Sequence, residues 1–245
     1  MKKFVWVISI TVILFSCNKD EEKTYPNYWK SLGVFESTGS GDTEYIINLD
    51  NGNVIVPKES NVYTDYYNTG DRVKVLYSIY SEQETDTNKN YSAVVHDLRS
   101  VLTKDVITLT DDIADSINND PIHVHEEDIW FSKNYLNIYF NYYGYQETHY
   151  INLIKFPNDS VDADGNLVLE FRHNGNNDYM TYVYDGIVSF DMNSLYQPSL
   201  DSLPIVVKVN DYDGDSLIWK GTYYFTEQEK SAKSVDISSK KALFK

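Results

Sequence analysis

The residues best placed by type and spacing to do chemistry are His123 and His125, in the run His123-Val124-His125-Glu126-Glu127-Asp128. Side chains two positions apart on a strand share a face, so the two imidazoles would sit at a spacing suited to a metal ion. Two histidines make half a site, and Glu127 is the nearest further ligand if the strand continues. Asp162-Ala163-Asp164-Gly165-Asn166 and Asp211-Tyr212-Asp213-Gly214-Asp215 offer hard oxygen ligands at odd spacings. A helix-flanked calcium loop needs Gly at its sixth position and Glu at its twelfth. Counted from Asp211, those positions hold Ser216 and Thr222. Both stretches read as turns, because Asp-Gly between strands is a favoured hairpin pair. The expectation is a protein with no metal and no cofactor, with His123 and His125 as the weak metal candidates.

For catalysis the chain has no Gly-x-Ser-x-Gly elbow, no His-Glu-x-x-His, no phosphate-cradling glycine loop and no second cysteine. His149 and His173 lie in strand-like segments and read as hydrogen-bonding residues at the edge of a core. No catalytic residue is assigned, and the chain is expected not to be an enzyme. A hydrolase acting on polysaccharide or peptide is the competing reading. It requires a pair of groups facing each other across a bond, which spacing on separate strands does not establish.

Covalent chemistry is expected at Cys17, the one cysteine of 245 residues. It follows the apolar run from Phe4 to Phe15 and Ser16, with Lys2 and Lys3 ahead of the run. This is the layout of a bacterial lipoprotein signal peptide over 1–16, with Leu14-Phe15-Ser16-Cys17 as lipobox. A run of about 12 residues makes roughly 18 Å of helix, too short for a hydrocarbon core of roughly 30 Å. Cys17 is thus the expected lipidation site, and two or three acyl chains hold a protein on a membrane where one binds marginally. Residues 17–28 read as an acidic tether. Within it Lys19, Asp20, Glu21 and Glu22 resemble an export signal for the outer face of the outer membrane, with a periplasm-facing position as the alternative.

Lys+Arg of 21 against Asp+Glu of 37 gives a net charge of −16. A nucleic-acid binder needs a basic groove to track phosphates, so that partner class is excluded. The membrane, through the N-terminal lipid, and a protein or glycan ligand are the partners expected; the oligomeric state is left open. With Cys17 consumed by lipid no thiol remains for a disulfide, and stability must come from core burial. Tyr outnumbers Phe by 22 to 10, a ratio suited to half-buried pleated faces where a ring packs and its hydroxyl stays wet. Clusters such as Tyr66-Tyr67, Tyr142-Tyr143-Gly144-Tyr145 and Tyr223-Tyr224 serve packing first and a sugar-stacking or protein-binding surface second.

The elements that must position these residues read as strands throughout. Tyr45 to Leu49 and Val54 to Val56 flank Asp50-Asn51-Gly52-Asn53, and an Asn-Gly pair between apolar runs predicts a hairpin. Val73, Val75, Tyr77 and Ile79 alternate with Lys74, Leu76, Ser78 and Tyr80 along a long strand with one core face. Five or six strands over 29–110 suit a small OB-type Greek-key barrel. A helical turn within the linker 111–121 is expected to separate it from an antiparallel β-sandwich over 122–245. The tail from Glu227 to Lys245 adds an edge strand near Val235 to Ile237 or frays, and the expected class is all-β.

Several segments carry a family resemblance: Gly70-Asp71-Arg72-Val73, Asn119-Asp120-Pro121-Ile122, Trp130 with Tyr135-Leu136-Asn137-Ile138, His149 with Ile151-Asn152-Leu153, and Glu170-Phe171-Arg172-His173. With the lipobox, they make the chain resemble the NigD-like lipoproteins. The resemblance implies an N-terminal OB domain, a C-terminal β-sandwich and no catalytic residues. It also implies a bacteriocin-immunity role as an alternative to the leading expectation, a lipid-anchored, non-enzymatic envelope binding module.

Overall fold

The structure is a computed structural model that describes residues 27–225 except 115, 158–160, 198, 213 and 215. Cys17, Lys19, Asp20, Glu21 and Glu22, and the strand expected near residue 235, lie outside the described residues.

Five strands form a closed barrel: β1 (Trp29–Ser37), β2 (Tyr45–Leu49), β3 (Val54–Ser60), β4 (Arg72–Glu84) and β5 (Lys89–Ser100), in the order β1-β2-β3-β5-β4. Alternation does what the sequence predicts, since Val73, Val75 and Tyr77 of β4 point into a core shared with Phe35, Ile47 and Val95. Closure turns on Gly33, which pairs with Leu49 of β2 on one side and Val73 of β4 on the other. A Cβ there would stand 2.7 Å from Ile47 Cγ2 and 2.9 Å from the Asn48 carbonyl oxygen, so only glycine lets the strands approach this closely. The Asn-Gly hairpin forms as read, with Gly52 at φ +89° and Leu49 N–H donating to the Asn53 carbonyl. The polar stretch 82–90 is no loose connection. β4 and β5 run on through it as an exposed ribbon, paired to Glu84 and Lys89.

The second unit is a two-sheet sandwich. One sheet holds β7 (Ile107–Thr108), β10 (Tyr150–Lys155), β11 (Leu167–Asn174), β13 (Ser202–Asn210) and β14 (Ser216–Tyr224), in the order β14-β13-β11-β10-β7. The other holds β6 (Leu102–Asp105), β8 (Ile129–Ser132), β9 (Tyr135–Gly144) and β12 (Tyr182–Asp191), in the order β6-β12-β9-β8. Between them lies a core that includes Ile138, Phe140, Leu153, Phe171, Phe190 and Val207. The sandwich is mixed rather than antiparallel throughout: β6 with β12, β7 with β10, and β11 with β13 run parallel. Parallel partners lie far apart in sequence, so no local turn announces them.

The domain boundary needs correcting. The barrel ends at Ser100, and β6 and β7, expected within the barrel unit 29–110, belong to the sandwich sheets. The supposed linker 111–121 contains one helical turn, α1 (Asp111–Ala114), but Val106 before it and Ile117 and Ile122 after α1 are buried. Strands of four and two residues show no periodicity of their own, and only their later partners reveal which layer they join.

Barrel meets sandwich through a buried polar knot. Arg72, with a fully buried side chain, forks onto both carboxylate oxygens of Asp50, which the hairpin turn presents. Its Nη2 also donates to Asn137 Oδ1 at 3.1 Å on β9, and its Nε to Ser189 Oγ at 3.3 Å on β12. Ser132 Oγ donates to Asp50, Asn137 Nδ2 donates to Ser132 Oγ at 2.7 Å, and the Tyr135 ring lies 4.4 Å from the guanidinium carbon. A buried charge is tolerated where its partner and its remaining hydrogen bonds are all in place, as here.

Candidate binding site at the pole of the sandwich

At the end of the sandwich where β9, β11 and β13 finish and β10, β12 and β14 begin, three loops converge with the strap 118–123. The strap ties the two sheets: Asp120 N–H donates to the His173 carbonyl at 2.8 Å, Ile122 N–H to the Asn210 carbonyl at 2.9 Å, and His123 exchanges backbone bonds of 2.9 Å with Asn141. Along β9 the seven steps from Asn137 to Gly144, at about 3.3 Å each, place this pole roughly 23 Å from the contact with the barrel.

Beneath the surface runs a chain of histidines. His173 Nδ1 donates to the Pro121 carbonyl at 3.0 Å, since a carbonyl only accepts. Burial keeps the His173 imidazole below its ordinary range, so it is neutral and its Nε2 accepts, here from His149 Nδ1 at 2.8 Å. His149 Nε2 stands 3.2 Å from Asp178 Oδ2, a carboxylate that also only accepts. His149 thus reaches a partner through each ring nitrogen, His173 on one side and Asp178 on the other. Burial works to raise the Asp178 carboxyl, but the N–H groups of Tyr145, Gln146, His149 and Tyr179 hold it well below the carboxylate range.

Local sequence explains the placement. Asn176 and Asn177 take left-handed backbone, at φ 53° and 56°, a conformation asparagine tolerates and one that turns Asp178 inward. Gly144 leaves room for the pair, because a Cβ there would lie 3.0 Å from His149 Nε2 and 3.2 Å from Asp178 Oδ2. The His149 and Asp178 side chains are 7% and 3% exposed, and His173 is 2% exposed. They fasten the β9–β10 loop to the β11–β12 loop.

Above this clamp the surface is aromatic. Tyr143, Tyr145, Tyr150, Tyr179, Met180, Tyr182, Val183 and Tyr184 are all exposed. Tyr142 lies below them, against His149 at 4.6 Å between ring centroids and against Tyr184 at 5.6 Å. A cleft of about 410 Å³ opens among His123, Asn141, Tyr142, Tyr143, Val183, Asp211 and Tyr212. At its edge His123 Nδ1 donates to Asp211 Oδ2 at 3.1 Å, and Tyr143 N–H donates to the Tyr212 hydroxyl at 3.2 Å. Residues 118–123, 141–150, 174–186 and 209–216 together contain eight Tyr, seven Asp or Glu and neither Lys nor Arg.

His123 and His125 do come together, with ring centroids 4.5 Å apart, yet His123 is engaged by Asp211 and His125 is exposed. Among the described residues no group of three or more His, Cys, Asp or Glu stands ready to hold a metal ion. Asp162 closes a turn, accepting from the N–H of Asp164 at 3.0 Å and of Asn166 at 2.9 Å, with Gly165 at φ +83°. Gly214 N–H closes the second turn onto the Asp211 carbonyl at 3.3 Å. The tyrosine clusters divide by role. Tyr67 donates to the Leu98 carbonyl while Tyr66 is exposed, Tyr223 is buried while Tyr224 is exposed, and Tyr143 and Tyr145 face outward over the packed Tyr142. Asp178 and the charge bias of the pole escaped the sequence reading, although the lack of Lys and Arg around the tyrosines was the available signal.

A two-domain, all-β protein with a tyrosine-rich pole is the class that fold and site define. Residues 105–223 match the NigD-like C-terminal beta sandwich domain, so this unit is a NigD-like sandwich and the resemblance is borne out over it. A solved structure from Bacteroides vulgatus ATCC 8482, a protein of unknown function DUF1344, is similar at 26% identity and TM-score 0.66, over 83% of this chain and 94% of that one. A candidate toxin-related protein from Parabacteroides distasonis ATCC 8503 is similar at 25% identity and TM-score 0.65, over 86% and 100%. A NigD-like immunity protein from Bacteroides caccae ATCC 43185 shares the fold at 17% identity and TM-score 0.60, over 82% and 98%. No curated protein matches the chain.

Proposed function

We propose that this protein is a lipid-anchored, non-enzymatic binding protein of the cell envelope, held by Cys17 and using the pole of its sandwich to engage a protein or glycan. The observation that carries the reading is the run of exposed tyrosines mounted on a buried clamp. Exposed apolar area concentrated in one place marks an interaction surface, and tyrosine supplies contact area at low cost in side-chain entropy. Supporting it, the clamp histidines are enclosed, and among the described residues Asp211 is the carboxylate lining the cleft, where glycoside hydrolysis uses two. We read the barrel as OB-type from its strand order and place the anchor on the outer membrane, facing outward, from Cys17 and the acidic tether. Within this reading the bacteriocin-immunity role is the narrower version, supported by the NigD-like domain and by the toxin-related neighbour.

A second reading has one observation in its favour: His123 and Asp211 form a His–carboxylate pair within an open cleft. There it would serve as the acid–base pair of a hydrolase. The variant Tyr143→Ser/Tyr145→Ser/Tyr182→Ser separates the two. On the binding reading it loses capture of the envelope partner while its melting temperature holds. On the hydrolase reading His123→Gln abolishes turnover of an envelope polymer.

A further inference from the structure

We propose that the cleft at the pole receives a lysine or arginine side chain from a cationic protein partner. This deepens the binding reading above and rests on it. The walls of the cleft are Tyr142, Tyr143, Val183 and Tyr212, which suit the aliphatic stem of a long basic side chain. At its edge stands Asp211, whose side chain is 13% exposed and whose carboxylate is fixed by the N–H of Tyr212 at 2.6 Å and by His123 at 3.1 Å. A carboxylate already oriented by two donors meets an incoming guanidinium or ammonium without reorganising. Tyrosines line the cleft around it, and an aromatic face attracts a cation further.

Charge selects among the possible occupants. Neither Lys nor Arg occurs in the four segments of the pole, while Asp120, Glu147, Asp178, Asp185 and Asp211 lie in them. A phosphorylated, sulfated or uronic-acid-bearing ligand would meet carboxylates with no Lys or Arg in these segments to pair with it, and a neutral glycan would leave the charge unused. A basic polypeptide is attracted at long range and seated at short range. The mature chain, at about −18 once Lys2 and Lys3 are removed, adds to the attraction but does not direct it to the pole. The cleft does.

The test uses the full chain with Cys17→Ser, and as probe a fluorescent 12-residue peptide of alternating Arg and Ser. Controls are the same peptide with Glu for Arg, and a neutral cello-oligosaccharide. Saturable binding of the Arg peptide, weakened about tenfold or more by Asp211→Asn and by Tyr143→Ala, with the melting temperature kept, is the expected result. Glu84→Gln with Asp86→Asn, on the exposed ribbon of the barrel, should change it less than about twofold. Equal weakening by the ribbon and cleft variants would reduce the effect to diffuse charge and overturn the inference. Binding of the oligosaccharide, lost with Tyr143→Ala while the Arg peptide fails to bind, would overturn the cationic partner but leave the pole as a binding face. If no probe binds, the cationic inference falls, and the binding reading is then decided separately by crosslinking from the pole on cells.

Discussion

Arg72 Nε lies 3.3 Å from Ser189 Oγ, a hydrogen bond that joins the first residue of β4 in the barrel to the C-terminal part of β12 in the sandwich. The same guanidinium holds Asp50, so the junction between the two units carries a buried charge pair. Arg72→Ala should therefore destabilise the protein by about 3–5 kcal/mol, because it leaves Asp50 without its counter-charge. In a double-mutant cycle, Arg72→Met with Asp50→Leu should cost clearly less than the sum of the single changes. Additive denaturation energies would show that the knot is incidental.

Acid should loosen the pole. The His173 imidazole is held below its ordinary range, so the unfolded chain binds more protons between that lowered value and about 6.5. Stability contributed by neutral His173 is complete above about pH 6.5 and is lost as pH falls through its folded value. Asp178 is depressed as well, and its contribution is present above about pH 4 and lost as the carboxyl is protonated below that. Denaturation midpoints measured from pH 8 to pH 3 should stay level at first and then decline. His173→Gln should flatten the upper limb and Asp178→Asn the lower one. Midpoints that rise toward acid pH would contradict the lowered His173 and Asp178.

Gly33→Ala should destabilise by roughly 1–3 kcal/mol, the usual size of an overpacked site, because the new methyl meets Ile47 and a backbone carbonyl on β2. Gly70→Ala, at φ +98° with nothing within 4 Å, tests strain without crowding and should cost less. Chemical denaturation of both variants checks the order.

Dividing the chain at Ser100 should produce a sandwich fragment, 101–245, with a cooperative melt. A fragment starting at 118 lacks β6, β7 and Val106, and should melt lower or not cooperatively. Calorimetry of the two fragments decides between the boundaries.

These outcomes trace how much was legible beforehand. Asp50-Asn51-Gly52-Asn53 announced its hairpin because the turn chemistry is local, and the alternation from Val73 to Tyr77 announced a core face because its period is local. The partnership of Asp50 with Arg72 was not legible: nothing in a turn residue says which strand will face it. The first half of β12, Tyr182 to Gly186, carries no strand signal of its own, because neither of its faces is buried and no apolar alternation marks it. The clamp joins residues 29 positions apart through a left-handed Asn pair, a geometry that composition does not encode. His149 and His173 were rightly placed as hydrogen-bonding residues, although their partners were unknown.

The anchor is checked by labelled fatty acid, which should enter the wild type and not Cys17→Ala. Replacing Lys19, Asp20, Glu21 and Glu22 with alanine should lower protease accessibility on whole cells.

The central claim, that the pole is the working surface, is tested most directly by site-specific photocrosslinking on intact cells. A benzophenone amino acid at Tyr182 on the pole is compared with one at Tyr63, an exposed tyrosine of the barrel unit. The account predicts one dominant adduct from position 182, absent from position 63 and lost when Tyr143→Ser and Tyr145→Ser are added. An adduct from position 63 alone, or equal adducts from both, would contradict it.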